Sequence, residues 1–419
     1  MIKKIFLSLS LICGSIAMAQ QGNASPYSFY GIGNVNNSGT NEYKAMGGTS
    51  VYADSIHINL NNPASFGKLK LTTFSLGATA KFYDFASDDS NNKAKRQTLD
   101  YISVGFPIAK KVGVVFGLTP FSNVGYKING QQNNEEGQLI KNTYEGNGGV
   151  NKVFLGAGYE IMPNLHVGVD VGYHFGNITN EAYKNIANTG DGSPLQTVSR
   201  ELQELDYRGV SFKTSAQYAG KFRQYDWQAN VTYSPQTKWS NDNLTKLQLV
   251  RVNQVIESQT IIDGNRKITN PQALDLGLGF GKEFKWFVGA QYTFTENRKL
   301  ADSWNTSSIS SFENSNKFSV GGFYIPKYNS FTSYFDRIVY RAGIRYENTG
   351  LVLNDKAIND MAVNAGFGFP IGRSFTNLNI GFEYGSRGTK SQGLTRENYF
   401  SMYVGFSMND LWFKRRRFE

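Results

Sequence analysis

Residues 165–176 read Leu-His-Val-Gly-Val-Asp-Val-Gly-Tyr-His-Phe-Gly. Leu165, Val167, Val169, Val171, Tyr173 and Phe175 fall on one face of an extended chain. His166, Gly168, Asp170, Gly172, His174 and Gly176 fall on the other. A helix would scramble these two sets. The pattern recurs in both directions along the chain. Trp227, Ala229, Val231 and Tyr233 alternate with Gln228, Asn230 and Thr232, and Leu378, Ile380, Phe382 and Tyr384 alternate with Asn379, Gly381 and Glu383.

Fourteen such segments start near Lys70, Leu99, Val112, Val150, Leu165, Tyr207, Tyr225, Thr269, Lys285, Asn316, Arg337, Ile358, Thr376 and Glu397. Each is roughly 9 to 17 residues long, about what a tilted membrane strand needs. Short turns such as 109–111, 162–164 and 222–224 join alternate pairs, with 326–336 as the longer exception. The remaining connections are mostly long and polar, such as 177–205 and 236–268. Short turns on one side and long loops on the other describe a membrane barrel with both termini at the short-turn, periplasmic side. A soluble sandwich would alternate too, but has no reason to end its apolar stripes in aromatics. In the odd-numbered strands Phe82, Tyr126, Phe175, Tyr233, Phe294, Tyr346 and Tyr384 close the stripe, and Trp227 and Trp286 open two of them. These read as interfacial girdles. The reading is an all-β, 14-stranded antiparallel transmembrane β-barrel over residues 70–410.

Composition agrees. Of 419 residues 18% are charged and 14% aromatic, with 44 Gly, which argues against a helical bundle or a disordered acidic chain. No run of 18 apolar residues follows residue 20, so no membrane helix is expected. Residues 1–19 read as a signal peptide: Lys3 and Lys4, an apolar run over 5–16, then Ala17-Met18-Ala19. Cys13, the sequence's one cysteine, would leave with it, which excludes thiolate metal sites and cysteine nucleophiles. Without Lys3 and Lys4 the 43 basic residues become 41 against 33 acidic, a net +8. Residues 411–419, with Lys414 to Arg417, read as a solvated basic periplasmic tail, not a nucleic-acid site.

Residues 20–69 do not alternate. They combine Gly31, Gly33, Gly39, Gly47 and Gly48 with Tyr27, Phe29, Met46, Val51, Ile58 and Phe66, too apolar for a disordered leader. Fourteen strands enclose space that wall side chains alone do not fill. The segment therefore reads as an N-terminal hatch, or plug, inside the barrel. Ala45-Met46-Gly47-Gly48-Thr49, then Ala53-Asp54, then Asn62-Pro63-Ala64, resembles the hatch of the FadL family of outer-membrane long-chain fatty acid transporters, in a Bacteroidota-type member. Ser65-Phe66 follows where that family usually has a small residue or Gly and then Leu. The resemblance implies passive uptake of hydrophobic compounds in the outer membrane, with membrane lipids and a hydrophobic ligand as partners. Barrels similar to this family also serve as accessory subunits of a type IX secretion apparatus. That makes a secretion-system protein the alternative partner, with the apolar residues of 236–268 as its docking surface.

The third strand carries Thr119-Pro120-Phe121 in its middle. Every strand of a closed barrel is central, so Pro120 removes a ladder hydrogen bond and should kink or bulge the wall. In the family this chain resembles, a kink there opens a side window, which makes these three residues the lateral-gate candidate. Lys213, Arg341, Arg345 and Glu347 fall on the polar face and are expected to pair across a wet lumen. Gly277, Gly279 and Gly281 mimic a phosphate loop but alternate within a strand, as a smooth inner wall would. His166 and His174 share a face about 27 Å apart at strand rise, too far for one metal. No serine stands two residues after either, so an outer-membrane phospholipase pattern is missing. No catalytic residue, metal or cofactor is expected.

Overall fold

Alternation sets the strands, and their ladders join them in chain order. The computed structural model describes residues 23–36, 39–88, 91–133, 135, 138–186, 197–251, 254–302, 310–372 and 375–412. The expected signal peptide, 1–19, and the basic run Lys414 to Arg417 lie outside the described residues. The wall strands are β1 (Thr72–Ala86), β2 (Asn91–Ala109), β3 (Val112–Asn133), β4 (Leu139–Met162), β5 (Leu165–Ile186), β6 (Thr197–Phe222) and β7 (Tyr225–Ser234). They continue as β8 (Ala273–Lys282), β9 (Trp286–Thr295), β10 (Ser315–Tyr324), β11 (Val339–Leu353), β12 (Lys356–Pro370), β13 (Asn377–Arg387) and β14 (Arg396–Asp410). Each pairs antiparallel with the next. β14 then returns to β1, from Arg396 opposite Ala86 to Asp410 opposite Thr72. This is a closed 14-stranded antiparallel barrel.

The wall is sided. In β5 Val169, Val171 and Tyr173 are exposed on the outside, while His166, Asp170 and His174 are buried inside. Leu278, Val288, Val320, Ile344 and Val363 repeat the outer pattern, and Asn230, Gln291, Ser319, Arg345 and Asn364 the inner one. A barrel greasy outside and polar inside spans a membrane. Aromatics ring both rims. Trp227 packs on Tyr218 at 5.2 Å, and Phe106 lies 6.0 Å from Phe116 and from Trp412 at the short-turn end. Tyr173 with Phe175, and Phe400 with Phe82 and Phe382, cluster at the long-loop end.

Two expectations need correction. Residues 177–205 and 236–268 are not loops in their described parts. β5 and β6 run on as strands, and Thr237–Arg251 and Gln254–Asn270 form an outer hairpin whose first strand pairs with Thr197 to Arg208 of β6. With β3 and β4, of 22 and 24 residues, these make a sheet that rises well past the 10-residue strands β7 to β10. Its inner face packs Val124, Tyr126, Ile178, Leu205, Tyr207, Trp239 and Ile268 around Ile32. The second correction concerns the N-terminus. Ser25 Oγ donates to Glu397 and Tyr27 OH to the Thr395 carbonyl, at the long-loop end of β14. The first described residues thus sit at the long-loop mouth, whereas β14 ends at the short-turn side as expected. From that mouth the lumenal segment descends through a 3-10 turn (Pro26–Phe29), the short strand Asn34–Val35, a helical turn (Asn41–Lys44) and a second 3-10 turn (Pro63–Lys68) into β1.

Candidate functional site

β2 and β3 pair only from Ala109 opposite Val112 up to Ile102 opposite Leu118. Beyond that point β2 stays with β1 as far as Asn91, and β3 stays with β4 as far as Asn133. The wall therefore splits into a seam above Leu118. Pro120 lies at its base, has no N–H to donate, and starts a register shift in the β3–β4 ladder between Pro120 and Ser122. The bulge exchanges the two faces of β3. Phe116 points out at 46% exposure, but Tyr126 turns inward at 5%. Tyr126 is thus not part of the outer girdle as its spacing predicts, whereas Phe82, Phe175, Tyr233, Tyr346 and Tyr384 are exposed on the outer face.

The lumenal segment closes this seam. Asn34 and Val35 pair antiparallel with Asn123 and Ser122. The Asn36 amide donates to the Phe121 carbonyl at 2.9 Å, and its side chain donates to the Pro120 carbonyl at 3.2 Å. Val35 remains 53% exposed. The expected gate residues therefore meet Asn34 to Asn36 of the lumenal segment, and higher in the seam Asn23 accepts from Arg96 of β2 at 2.8 Å and donates to the Asn123 carbonyl of β3 at 3.1 Å; the sequence reading singled out none of these.

The motif residues dock the segment lower down. Gly47 and Gly48, at φ 70° and 82°, turn the chain after the helical turn, and the Gly48 amide donates to the Tyr43 carbonyl at 2.9 Å. The Met46 carbonyl lies against Gly321 of β10 and Gly343 of β11, where a Cβ would collide with it. Ala53 N donates to Gln228 Oε1 at 3.0 Å. Asp54 accepts from the amides of Ile56 and His57, at 2.9 and 2.7 Å, and pairs with His57 Nδ1 at 2.5 Å. Asn62 donates to Gln217 at 2.9 Å, Pro63 opens the second 3-10 turn, and Ala64 N donates to Ser215 Oγ at 2.6 Å. The wall presents Gly113, Gly158 and Gly168 to that turn's backbone. Asp54 and His57 lie in the segment, outside the spanning strands. Burial opposes charge on either group, and their pairing overrides it, raising His57 and lowering Asp54 from their ordinary values.

A cavity of about 430 Å³ lies between this segment and the wall, and reaches Leu99 and Asp100 on one lip of the seam and Thr119, Pro120 and Phe121 on the other. Of the motif residues, Gly47 and Gly48 line it. Its charges are largely laced together. Lys44 meets Asp100 at 2.8 Å and Lys152 meets Asp170 at 2.5 Å. Arg345 reaches Glu347 at 3.1 Å, Asp360 at 3.5 Å and Glu383 at 3.8 Å, and Arg387 reaches Asp360 at 2.9 Å. Pairing of Arg345 with Glu347 follows the expectation. Arg341 instead donates to Asn379 at 2.8 Å, which donates to Glu42. Lys213 lines the cavity and donates to the Leu60 carbonyl at 3.5 Å. Phe121, His174 and Trp239 form an aromatic wall, with His174 and Trp239 stacked at 4.3 Å. Asp170 and Asp360 stand on polar faces of their strands, the signal by which the sequence could have shown them. Gly277 and Gly279 face inward beneath Val51 and Phe287, a smooth wall as read. Among the described residues no His/Cys/Asp/Glu cluster could hold a metal ion.

A membrane barrel stoppered by its own N-terminal segment is the class this geometry defines. A family model described as BamG matches residues 1–419, and the chain belongs to that family. No curated protein matches the sequence significantly. Several solved structures share the fold. A FadL homologue from Pseudomonas aeruginosa has TM-score 0.57 at 12% identity, over 90% of this chain and 98% of that one. The Pseudomonas putida toluene transporter TodX has TM-score 0.57 at 16% identity, over 90% and 98%. The Ralstonia pickettii toluene transporter TbuX has TM-score 0.54 at 13% identity, over 90% and 100%.

Proposed function

We propose that this chain is a non-enzymatic outer-membrane barrel for passive passage of hydrophobic compounds, long-chain fatty acids among them. Residues 20–69 serve as its hatch, and the seam beside Pro120 is a side exit toward the bilayer. One observation carries this reading. The cavity touches both lips of a seam that is closed by hatch residues and not by a wall strand. The fold shared with toluene transporters and a FadL homologue supports it. Pro120 lies opposite Asn151, which lies opposite Phe175 of the long-loop girdle. An exit there would deliver an apolar solute at the outer interface, and no energy source is needed.

Asn34 and Asn123 are register partners, so cysteines at both positions can be bridged across the seam. In liposomes carrying Asn34→Cys/Asn123→Cys, uptake of a radiolabelled monoaromatic hydrocarbon or fatty acid should fall several-fold on oxidation and return on reduction. Equal uptake in both states would remove the side exit.

A second reading is an accessory or plug subunit of a secretion apparatus, without lipid transport. The charge-laced lining of the cavity favours it, as an apolar solute would find few greasy surfaces there. The outer hairpin favours it too. Val255, Ile256 and Ile261 are exposed, and among the described residues Gln254–Asn270 pairs on one side only. Absent uptake in both redox states, with a large partner co-purifying in mild detergent, would select this reading.

A further inference from the structure

The β10–β11 connection, residues 325–338, is the one long link at the short-turn end, and it is ordered by its own hydrogen bonds. The Lys327 amide donates to the Asp336 carbonyl at 2.8 Å, and Ser330 Oγ donates to the Asp336 carboxylate at 3.3 Å. This frame holds up exposed aromatic side chains. Phe331 is 100% exposed and Phe335 72%, and Tyr328 stacks on the exposed Phe284 of the neighbouring turn at 4.8 Å. An ordered loop that exposes so much aromatic surface marks an interaction site.

The loop's position says what covers it. Tyr340 is on the outer face of β11, in step with the exposed Ile344 and Tyr346. Its hydroxyl donates to the Phe335 carbonyl at 3.3 Å. Tyr334 OH reaches outward to the Pro370 carbonyl at the end of β12, at 3.0 Å. The 334–340 arm of the loop therefore folds along the outside of the rim, continuous with the lipid-facing girdle, while Tyr328 on the other arm lies near enough to Asp54 to feel its charge. Arg337 lies over the Tyr334 ring at 5.2 Å, and Lys327 is exposed beside Tyr328, which places cations among the aromatics.

We infer that residues 325–338 are an interfacial anchor that seats in the phospholipid headgroups on the short-turn side. Phe331 and Phe335 enter the acyl boundary, and Lys327 and Arg337 meet lipid phosphates. The anchor would fix the depth and tilt of the barrel, whatever the lumen passes.

The test places a nitrobenzoxadiazole dye on Phe331→Cys in a Cys13→Ser background. Asp263→Cys on the outer hairpin serves as the aqueous reference. The full chain is reconstituted in phosphatidylethanolamine–phosphatidylglycerol vesicles, and heat-dependent gel mobility confirms folding. Emission from position 331 should be blue-shifted and several-fold brighter than from 263. Headgroup-proximal spin-labelled lipid should quench it more than a label at the chain end. Phe335→Cys gives the same reading if the first variant misfolds. Emission matching that of 263, with no lipid quenching, would overturn the inference. So would protection of 331 in native outer membranes but not in vesicles, which would assign the loop to a protein partner.

Discussion

Gly168 is one of the wall positions where a single methyl group would meet the backbone of the lumenal segment. A Cβ there would lie inside van der Waals contact of the Pro63 carbonyl and the Ala64 amide, both backbone, so no flexible side chain can yield. Gly168→Ala must push the Pro63–Lys68 turn off the wall. The displaced turn breaks the bonds of Ala64 N to Ser215 and of Asn62 to Gln217. Each broken buried bond leaves an unsatisfied group, at about 1–3 kcal/mol. Overpacking adds about 1–3 kcal/mol if the turn resists. Docking of the hatch base should weaken by about 2–6 kcal/mol, or more than tenfold at about 1.4 kcal/mol per decade. Hydrogen exchange of the intact barrel in detergent is the assay, read over residues 59–69. Gly130→Ala is the control, as a Cβ there meets nothing within 4 Å. Exchange should accelerate by a decade or more in the first variant and stay unchanged in the second. Unchanged protection in folded Gly168→Ala would refute the close-approach argument.

Asp360 is buried and receives Arg345 and Arg387, so Asp360→Asn takes a carboxylate from both guanidinium groups, Arg345 keeping Glu347 and Glu383. Loss of about 3–5 kcal/mol of barrel stability is expected, read as a lower urea midpoint by tryptophan fluorescence. The His57–Asp54 pair makes the hatch pH-sensitive. His57 is raised above 6.5, so its contribution is complete below pH 6.5 and is lost as pH rises through the raised value. Asp54 is lowered below 3.8, so its contribution is complete above pH 3.8 and is lost as pH falls through the lowered value. Glu42 reinforces the charge on His57 and Arg341 opposes it. Protection of residues 52–58, corrected for intrinsic rates, should therefore peak between these limits, and His57→Gln should lose the alkaline fall while keeping the acid one, because the backbone amides of residues 56 and 57 still bond Asp54.

The spanning part of the fold was legible because a half-wet, half-greasy wall writes itself as strict alternation. The short-turn boundaries at Val112, Leu165 and Tyr225 are those the sequence indicates. Their opposite ends are not. The sequence starts the fourth segment at Val150, whereas β4 begins at Leu139. Above the membrane the outer face of these strands turns polar, as at Asn177, Thr179 and Glu181, while the inner face packs Ile178 and Leu205, so the greasy-outside pattern is reversed. Tyr126 was misplaced for a different reason. Pro120 announced a break, but only the realised bulge tells that one extra residue exchanges the faces beyond it. The hatch motifs were readable as turn chemistry, whereas their receptors, Gly113, Gly158 and Gly168, are glycines that alternation alone cannot tell from filler. Arg345 and Glu347 are two residues apart in one strand. Asp360 joins them only because register sets it opposite Glu347.

Besides its attachment at the mouth through Ser25 and Tyr27, the lumenal segment is held at the seam and at its base by locks of unequal strength, and this orders its possible movements. At the seam Asn34 to Asn36 are held by a two-residue ladder and the two bonds of Asn36, with Val35 half in solvent. At about 0.5–1.5 kcal/mol net per hydrogen bond, this lock is worth about 2–5 kcal/mol. It would then stand open in roughly one molecule in thirty to one in several thousand. The base has the bonds of Asn62 and Ala64, those of Ser50 and Ala53 to Gln291 and Gln228, and backbone packed on glycine. Every one of those groups is buried, so releasing any of them leaves a polar atom unpaired. On the side-exit proposal the seam therefore opens long before the base lets go. A solute reaching the cavity would find its way out sideways while the short-turn end stays shut. For the same reason, deleting residues 20–69 tests both locks at once and cannot say which one controls passage.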